Sequence, residues 1–374
     1  MALTLPRPPA TGTPSLSKGG GGGRVRAPAC LATLTALLPH GKMPSQPLPG
    51  ESSVARAEGF GMSSASCRAR CAPRRWGRAL EPCFFLGPNI VGFLTFTAFP
   101  VVAALSLSLF RWDLLTPPVY VGAENFAELW RDAQFRRVVA NTFWFTFGTV
   151  PARVILSLLL AVALNQRIRG VVFYRTVYFL PVVSSLVAAA LVWQWIFHGD
   201  FGLLNGTLRA VGAALGLHLN PPDWLNSTRW ALPAVMILNL WKNVGFTAVL
   251  YLAGLQGIPQ DLYEAAEVDG AGLLARFRHV TLPMLSPTTF FVLVMSAIWA
   301  FQVFDEAFIM TRGGPAFATT TMVYYIYLNA FKWFRMGKAA AVAWVLFACI
   351  FAFTALQMRA QRHWVHYEAD QEQG

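Results

Sequence analysis

Beyond residue 80 the chain alternates long apolar stretches with short polar ones. From Pro82 to Phe110 no charged residue occurs, and about 20 residues at ~1.5 Å each cross the hydrocarbon core of a bilayer. Further apolar stretches cover roughly 139–164, 172–198, 230–256, 286–310 and 339–359. The pattern predicts an all-α polytopic membrane protein with six transmembrane helices and both termini on one side. Arg153 falls in the second span and Lys242 in the fourth. A cation at that depth must face the bundle interior, snorkel or mark a bend.

The polar link between spans four and five is the exception to the apolar run. Ile258-Pro259-Gln260-Asp261 reads as a helix start: proline has no use for an N–H in a first turn, and Asp261 complements the helix dipole. The helix runs through Glu264–Val268, and Gly270 supplies a backbone position that stops it. A second helix is expected over about Gly272–Val280, with Leu273, Leu274 and Phe277 at helical spacing, ended by Pro283 and Pro287. Glu264, Glu267 and Asp269 make this helix-turn-helix a poor match to anionic headgroups, and its small face, Ala265 and Ala266, permits close approach of another protein.

Composition sharpens the class. Only 13% of the 374 residues are charged and 55% are hydrophobic, with a mean hydropathy of +0.46, against roughly 25% charged in soluble domains. The net charge of +12 is lopsided: residues 1–80 hold eleven of the 30 Lys and Arg against Glu51 and Glu58, and the remainder is close to balance. That Gly-, Pro- and Ser-rich stretch, with its run Gly19–Gly23, has no hydrophobic period and reads as a disordered basic tail. Its composition raises the expectation that translation begins at Met43 or Met62. No aromatic interleaving accompanies the charge, so nucleic acid is not the expected partner. Cys67 and Cys71 lack a second Cys or His pair, and His363 and His366 lack a third ligand, so no metal site is expected.

Charge also orients the spans. Arg167, Arg169 and Arg175 cluster after span two, Arg276, Arg278 and His279 after span four, and Arg359 and Arg362 after span six; Arg74, Arg75 and Arg78 precede span one. Placing these in the cytoplasm is consistent, although Arg131, Arg136, Arg137, Lys332, Arg335 and Lys338 then lie outside. Tryptophans at span ends, including Trp112, Trp130, Trp193, Trp224 and Trp333, fit an interfacial belt better than a row of sugar-stacking sites.

Glu264-Ala265-Ala266…Asp269-Gly270-Ala271…Phe277…Thr281-Leu282-Pro283…Pro287 resembles the EAA loop of permease subunits of bacterial binding-protein-dependent ABC importers. Asn125-Phe126, Asn141-Thr142, Ala163-Leu164-Asn165, Phe179-Leu180-Pro181 and Thr311-Arg312-Gly313-Gly314-Pro315 resemble the carbohydrate branch, which holds the maltose, glycerol-3-phosphate and multiple-sugar permeases. The likeness covers about 82–360 and extends neither to the tail 1–80 nor to residues 361–374, expected as a cytoplasmic end. It implies a bacterial cytoplasmic (inner) membrane protein. Its expected partners are a second homologous permease, two ATPase subunits that carry ATP and Mg, an extracytoplasmic solute-binding protein and a small-molecule solute. Glu264, Ala265, Ala266, Asp269, Gly270, Leu282 and Pro283 would form the ATPase-coupling contact. Gly313, Gly314 and Pro315 would form an external turn touching the binding protein.

No Walker-A pattern, G-x-S-x-G or H-E-x-x-H occurs, so no enzyme activity and no cofactor are expected in this chain itself. Polar residues inside spans mark functional suspects: Asn239 and Asn243 beside Trp241, and Gln302 and Asp305 beside Phe301, are candidates for the translocation path. Helix–helix hydrogen bonding is the competing role, and Asp305 and Glu306 read as outer-rim positions. An ATP-independent secondary transporter or channel is the alternative function. It would leave the acidic knob without a task.

Overall fold

The computed structural model describes residues 85–166, 169–217 and 220–365. The tail 1–80, Cys30, Cys67, Cys71, Cys83, Arg167 and His366, with the readings attached to them, lie outside the described residues. Four helices are long and apolar enough to cross a membrane: α1 (Phe85–Ser108), α3 (Ala133–Leu164), α7 (Ala231–Gln256) and α13 (Met336–Ala360). Two more crossings arise if each bent pair is one span. The first is α4 (Val171–Val183) with α5 (Leu186–Ile196), bent by 97°; the second is α9 (Leu273–Met284) with α10 (Ser286–Phe301), bent by 64°. The remaining helices are α2 (Glu124–Arg131), α6 (Leu203–Ala214), α8 (Gln260–Val268), α11 (Asp305–Thr311) and α12 (Met322–Tyr327). A two-residue antiparallel pair, β1 (Phe110–Arg111) and β2 (Val119–Tyr120), is the sheet among the described residues.

These elements correct the sequence reading in three places. The third span is not a continuous helix but breaks at Ser184-Ser185, where both residues are extended. The fifth stops at Phe301, and Asp305–Thr311 is a separate helix. Pro283 does not end the second loop helix, because a π-helical turn at Phe277–Thr281 widens the backbone ahead of it. The bend falls instead at Leu285, and Pro287 takes the first turn of α10.

The core centres on α3 and α7, the most extensively packed pair, flanked by α10, α11 and the two halves α4 and α5. A second cluster joins α2, α3, α10, α12 and α13 around Leu129, Phe135, Phe301 and Tyr325. A third, at the loop end, joins Ala161, Tyr251, Leu255, Ile258 and Leu285. α1 packs on α13 but leaves its hydrophobic side chains exposed, as a helix at the lipid boundary does. Gly337 admits the first crossing: a Cβ there would stand 1.9 Å from the Phe110 carbonyl oxygen.

The basic residues that disturb the charge asymmetry are partly occupied within the chain. Arg137 donates to the Ala316 carbonyl and Lys338 reaches Asp132 at 3.2 Å; Arg111, outside that set, reaches Glu124 and Glu128 at 3.0 Å.

Candidate functional site

One face of α3 carries Thr142, Thr146, Thr149, Arg153 and Ser157, all buried. The spacing of three and four places them on a single stripe. Thr142, Thr146 and Thr149 donate to the carbonyls one turn back, and Ser157 donates to Val244 on α7. Arg153, 1% exposed, projects from the same stripe. Its Nη2 donates to Asn239 Oδ1 on α7, and Asn239 Nδ2 donates to Glu306 Oε1 on α11 at 2.7 Å. The amide thus turns its oxygen to the cation and its nitrogen to the carboxylate, linking three helices. Arg153 Nε and Nη1 have no partner among the described residues.

A cavity of about 180 Å³ opens on this network, lined by Asn239, Asn243, Gln302, Asp305 and Glu306 together with Arg153, Trp299 and Phe304. Amides, carboxylates and a guanidinium beside aromatic faces can bind hydroxyls while stacking on a C–H surface. Four of the six suggested path residues, Asn239, Asn243, Gln302 and Asp305, therefore share one cavity. Trp241 stands apart against Trp193, with ring centres 5.7 Å apart. Phe301 is fully buried between Phe143 and Phe353. Glu306 is not at the rim: it is 8% exposed and bonded inward, whereas its neighbour Asp305 is exposed. The polar stripe of α3 was readable from helical spacing, but its convergence with Glu306 was not.

The break between α4 and α5 borders the same helix α7. Lys242 Nζ donates to the carbonyls of Pro181 at 3.0 Å and Ser184 at 2.7 Å. An ammonium on the last carbonyls of a half-helix satisfies groups that the break would orphan and opposes the dipole there. One turn on, Gly245 lets α7 touch α4: a Cβ would lie 2.1 Å from the Tyr178 carbonyl oxygen.

At the opposite end, α8 and α9 form a protruding loop. Gly270, at φ +79°, ends α8 with bonds from Gly270 N to Glu267 O at 3.0 Å and from Ala271 N to Ala266 O at 2.9 Å, the paired capping pattern that favours glycine. Arg276 bridges to Glu267 at 2.9 Å, and Tyr263 and Thr281 share a hydrogen bond at 3.0 Å, so both contacts join the two arms of the loop to each other. Glu264, Ala265, Asp269, Gly270 and Leu282 are exposed, while Ala266 and Pro283 are half-buried. Val268, Leu273 and Leu274 are at least 80% exposed, an apolar surface on a polar loop.

The turn after α11 is stapled. Asn141 donates to the Phe317 and Thr320 carbonyls, Thr320 to Gly313, Thr319 to Gly314, and Met322 N to Thr142 Oγ1. Gly313, at φ +79°, leaves no room for a Cβ, which would meet Thr320 and Tyr324 at 2.6 Å. Gly314–Pro315 is cis. The Asn141-Thr142 pair is thus the anchor of the Gly313-Gly314-Pro315 turn.

A crossed-helix core, a polar cavity among its helices and an exposed loop at one end suit a transport subunit. Residues 135–364 match the family described as the binding-protein-dependent transport system inner membrane component. The chain belongs to that family. It is an inner membrane permease subunit of an ABC importer. It is 37% identical over 292 residues, 77% of this chain and 92% of the relative, to a probable ABC transporter permease protein, YesP, of Bacillus subtilis. It is 34% identical to the sulfoquinovosyl glycerol transport system permease SmoG of Agrobacterium fabrum, over 77% of this chain and 93% of the relative. The same identity relates it to the sn-glycerol-3-phosphate permease UgpA of Brucella abortus, over 76% and 96%. Its fold matches a chain of a crystallised bacterial importer of the acidic polysaccharide alginate, with a TM-score of 0.66 at 24% identity, over 77% of this chain and 98% of that one.

Proposed function

We propose that this permease imports a sugar, oligosaccharide or glycerol-phosphate-like solute. It would do so beside a second homologous permease, two ATPase subunits that carry ATP and Mg, and a solute-binding protein on the outer side. Loop 257–283 is the ATPase contact and therefore lies in the cytoplasm, as do both termini; the Gly313-Gly314-Pro315 turn faces outward. The carrying observation is the loop: Val268, Leu273 and Leu274 are exposed on a segment whose two arms Glu267–Arg276 and Tyr263–Thr281 cross-link. The relatives that serve sulfoquinovosyl glycerol and sn-glycerol-3-phosphate transport support the solute class.

Gly270→Asp tests the coupling. Open space surrounds the Cβ position, so the substitution acts only through backbone strain of roughly 1–2 kcal/mol and added charge. Uptake in proteoliposomes should fall to background, and the ATPase should no longer co-purify, while membrane insertion stays at the level of the unmodified chain. Full uptake by the variant, or solute movement by the chain alone without ATP, would refute the reading.

A further inference from the structure

A second, larger cavity of about 880 Å³ lies at the end of the bundle opposite loop 257–283, walled by α5, α11 and α12. Gln194 fixes the wall by donating to the carbonyls of Ile309 and Met310 at 2.8 Å. Arg312 and Lys332 line it, with His198 and Asn226, and no acidic side chain lines it among the described residues. Arg312 caps α11 in the left-handed region at φ 50° and is exposed, as is Lys332. The inner cavity carries the opposite bias, with Asp305 and Glu306 against Arg153.

An aromatic cluster lies between the two. Phe304 lines the inner cavity and stacks on Phe308 of the outer one at 5.3 Å and 18°. Tyr324 and Tyr327, which line the outer cavity, pack on Phe304 at 5.6 and 5.5 Å and on Phe308 at 5.7 and 5.6 Å, so the four rings form one cluster. An aromatic ring bordering a cavity can take the C–H side of a sugar, while cations select charge rather than hydroxyls.

We propose that the outer cavity is an entry subsite for an anionic glycoside, in which Arg312 and Lys332 hold a carboxylate, sulfonate or phosphate and the aromatic cluster of Tyr327, Phe308 and Phe304 borders the way of the sugar ring to the inner cavity. The inference rests on the importer reading and narrows its solute class to acidic sugars. Two cations lining one cavity can compensate one anion there, with no carboxylate among the described lining residues to neutralise them.

The test uses the complete importer with its solute-binding protein in proteoliposomes. The probes are matched pairs: digalacturonate and a neutral galactose disaccharide, sulfoquinovose and glucose, sn-glycerol 3-phosphate and glycerol. ATP-driven uptake of at least one acidic member and not of its neutral counterpart is expected. Arg312→Gln with Lys332→Gln, both at exposed positions, should raise the half-saturating concentration of that solute roughly tenfold or more, the worth of a lost charge-assisted hydrogen bond. The binding protein is unmodified in both preparations, so that change belongs to this chain. Affinity for the loaded binding protein, measured separately, should stay the same. Equal uptake of a neutral counterpart, uptake of no acidic member, or an unchanged half-saturating concentration would each overturn the subsite and leave ATP-driven import standing. A parallel loss of binding-protein affinity would assign the two cations to protein docking and also overturn it. Solute movement that ignores ATP would instead remove the importer reading beneath it.

Discussion

Lys242→Met isolates what holds the broken span open. The substitution keeps the apolar stem and removes the ammonium that donates to Pro181 O and Ser184 O. Pro181 O retains a partner, because Ser184 Oγ also donates to it at 2.7 Å. The half-buried Ser184 carbonyl loses the ammonium, and an orphaned acceptor costs up to about 1–3 kcal/mol. Relief of the lysine's own desolvation offsets part of the lost charge-assisted bonds, so the net loss is about 2 kcal/mol. A domain of this general size moves by about 2–4 °C per kcal/mol, which places the thermal midpoint of the detergent-purified importer about 4–8 °C lower. Uptake should fall with it, since α4 and α5 would sample other angles at Ser184-Ser185. Gly245→Ala reaches the same junction by another route: its Cβ, 2.1 Å from the Tyr178 oxygen, forces α4 off α7 at about 1–3 kcal/mol while Lys242 remains. Thermal midpoints and uptake rates of both variants at the level of the unmodified protein would refute the argument that these two contacts set the bend.

Other outcomes follow from the buried and outward ends of the bundle. Glu306→Gln leaves Arg153 charged in the interior without its compensating carboxylate and should destabilise by about 3 kcal/mol or more; Arg153→Met added to it should recover part of the lost thermal midpoint, and further loss would refute the pairing. Asn141→Leu removes the two donors to Phe317 and Thr320, so amide exchange in 316–321 should quicken by about tenfold or more at about 1.5 kcal/mol, with no change in α7. Asp132 is held below the usual carboxylate range: burial alone pushes it up, but donors from Tyr325, Gln134 N and Lys338 together outweigh that. A depressed folded value gives stability that is present above the unfolded value of about 4 and is lost as pH falls through the folded one. Acid unfolding curves of Asp132→Asn should therefore be less steep below pH about 4, and curves that superimpose would contradict it.

The apolar segments and the loop were legible because each depends on local composition. Ile258-Pro259, Asp261 and Gly270 specify α8 and its cap within a dozen residues. The breaks were not legible, because their causes are distant. Ser184-Ser185 is unremarkable in sequence, and the ammonium that stabilises its opening sits 58 residues on. The same holds for Glu306: beside Asp305 it reads as a rim carboxylate, and only the crossing of α11 with α7 gives it Asn239 at 2.7 Å. Pro283 misled for the opposite reason, since a wide turn just before it absorbs the ring that an ideal helix would reject.

α7 explains why these distant features belong to one device. Its 26 residues form one unbroken helix, about 39 Å long at ~1.5 Å per residue, that ends at Gln256, four residues before α8. On its way it supplies Asn239 to the Arg153–Glu306 network, Lys242 to the broken span and Gly245 to the contact with α4. A packed helix of this kind moves as a body rather than stretching. A displacement applied at loop 257–283 therefore reaches the cavity and the break together. That Asn239 and Lys242 lie within one turn of each other means that moving the polar network without moving the break would require α7 itself to bend, and neither proline nor a wide turn interrupts it between them.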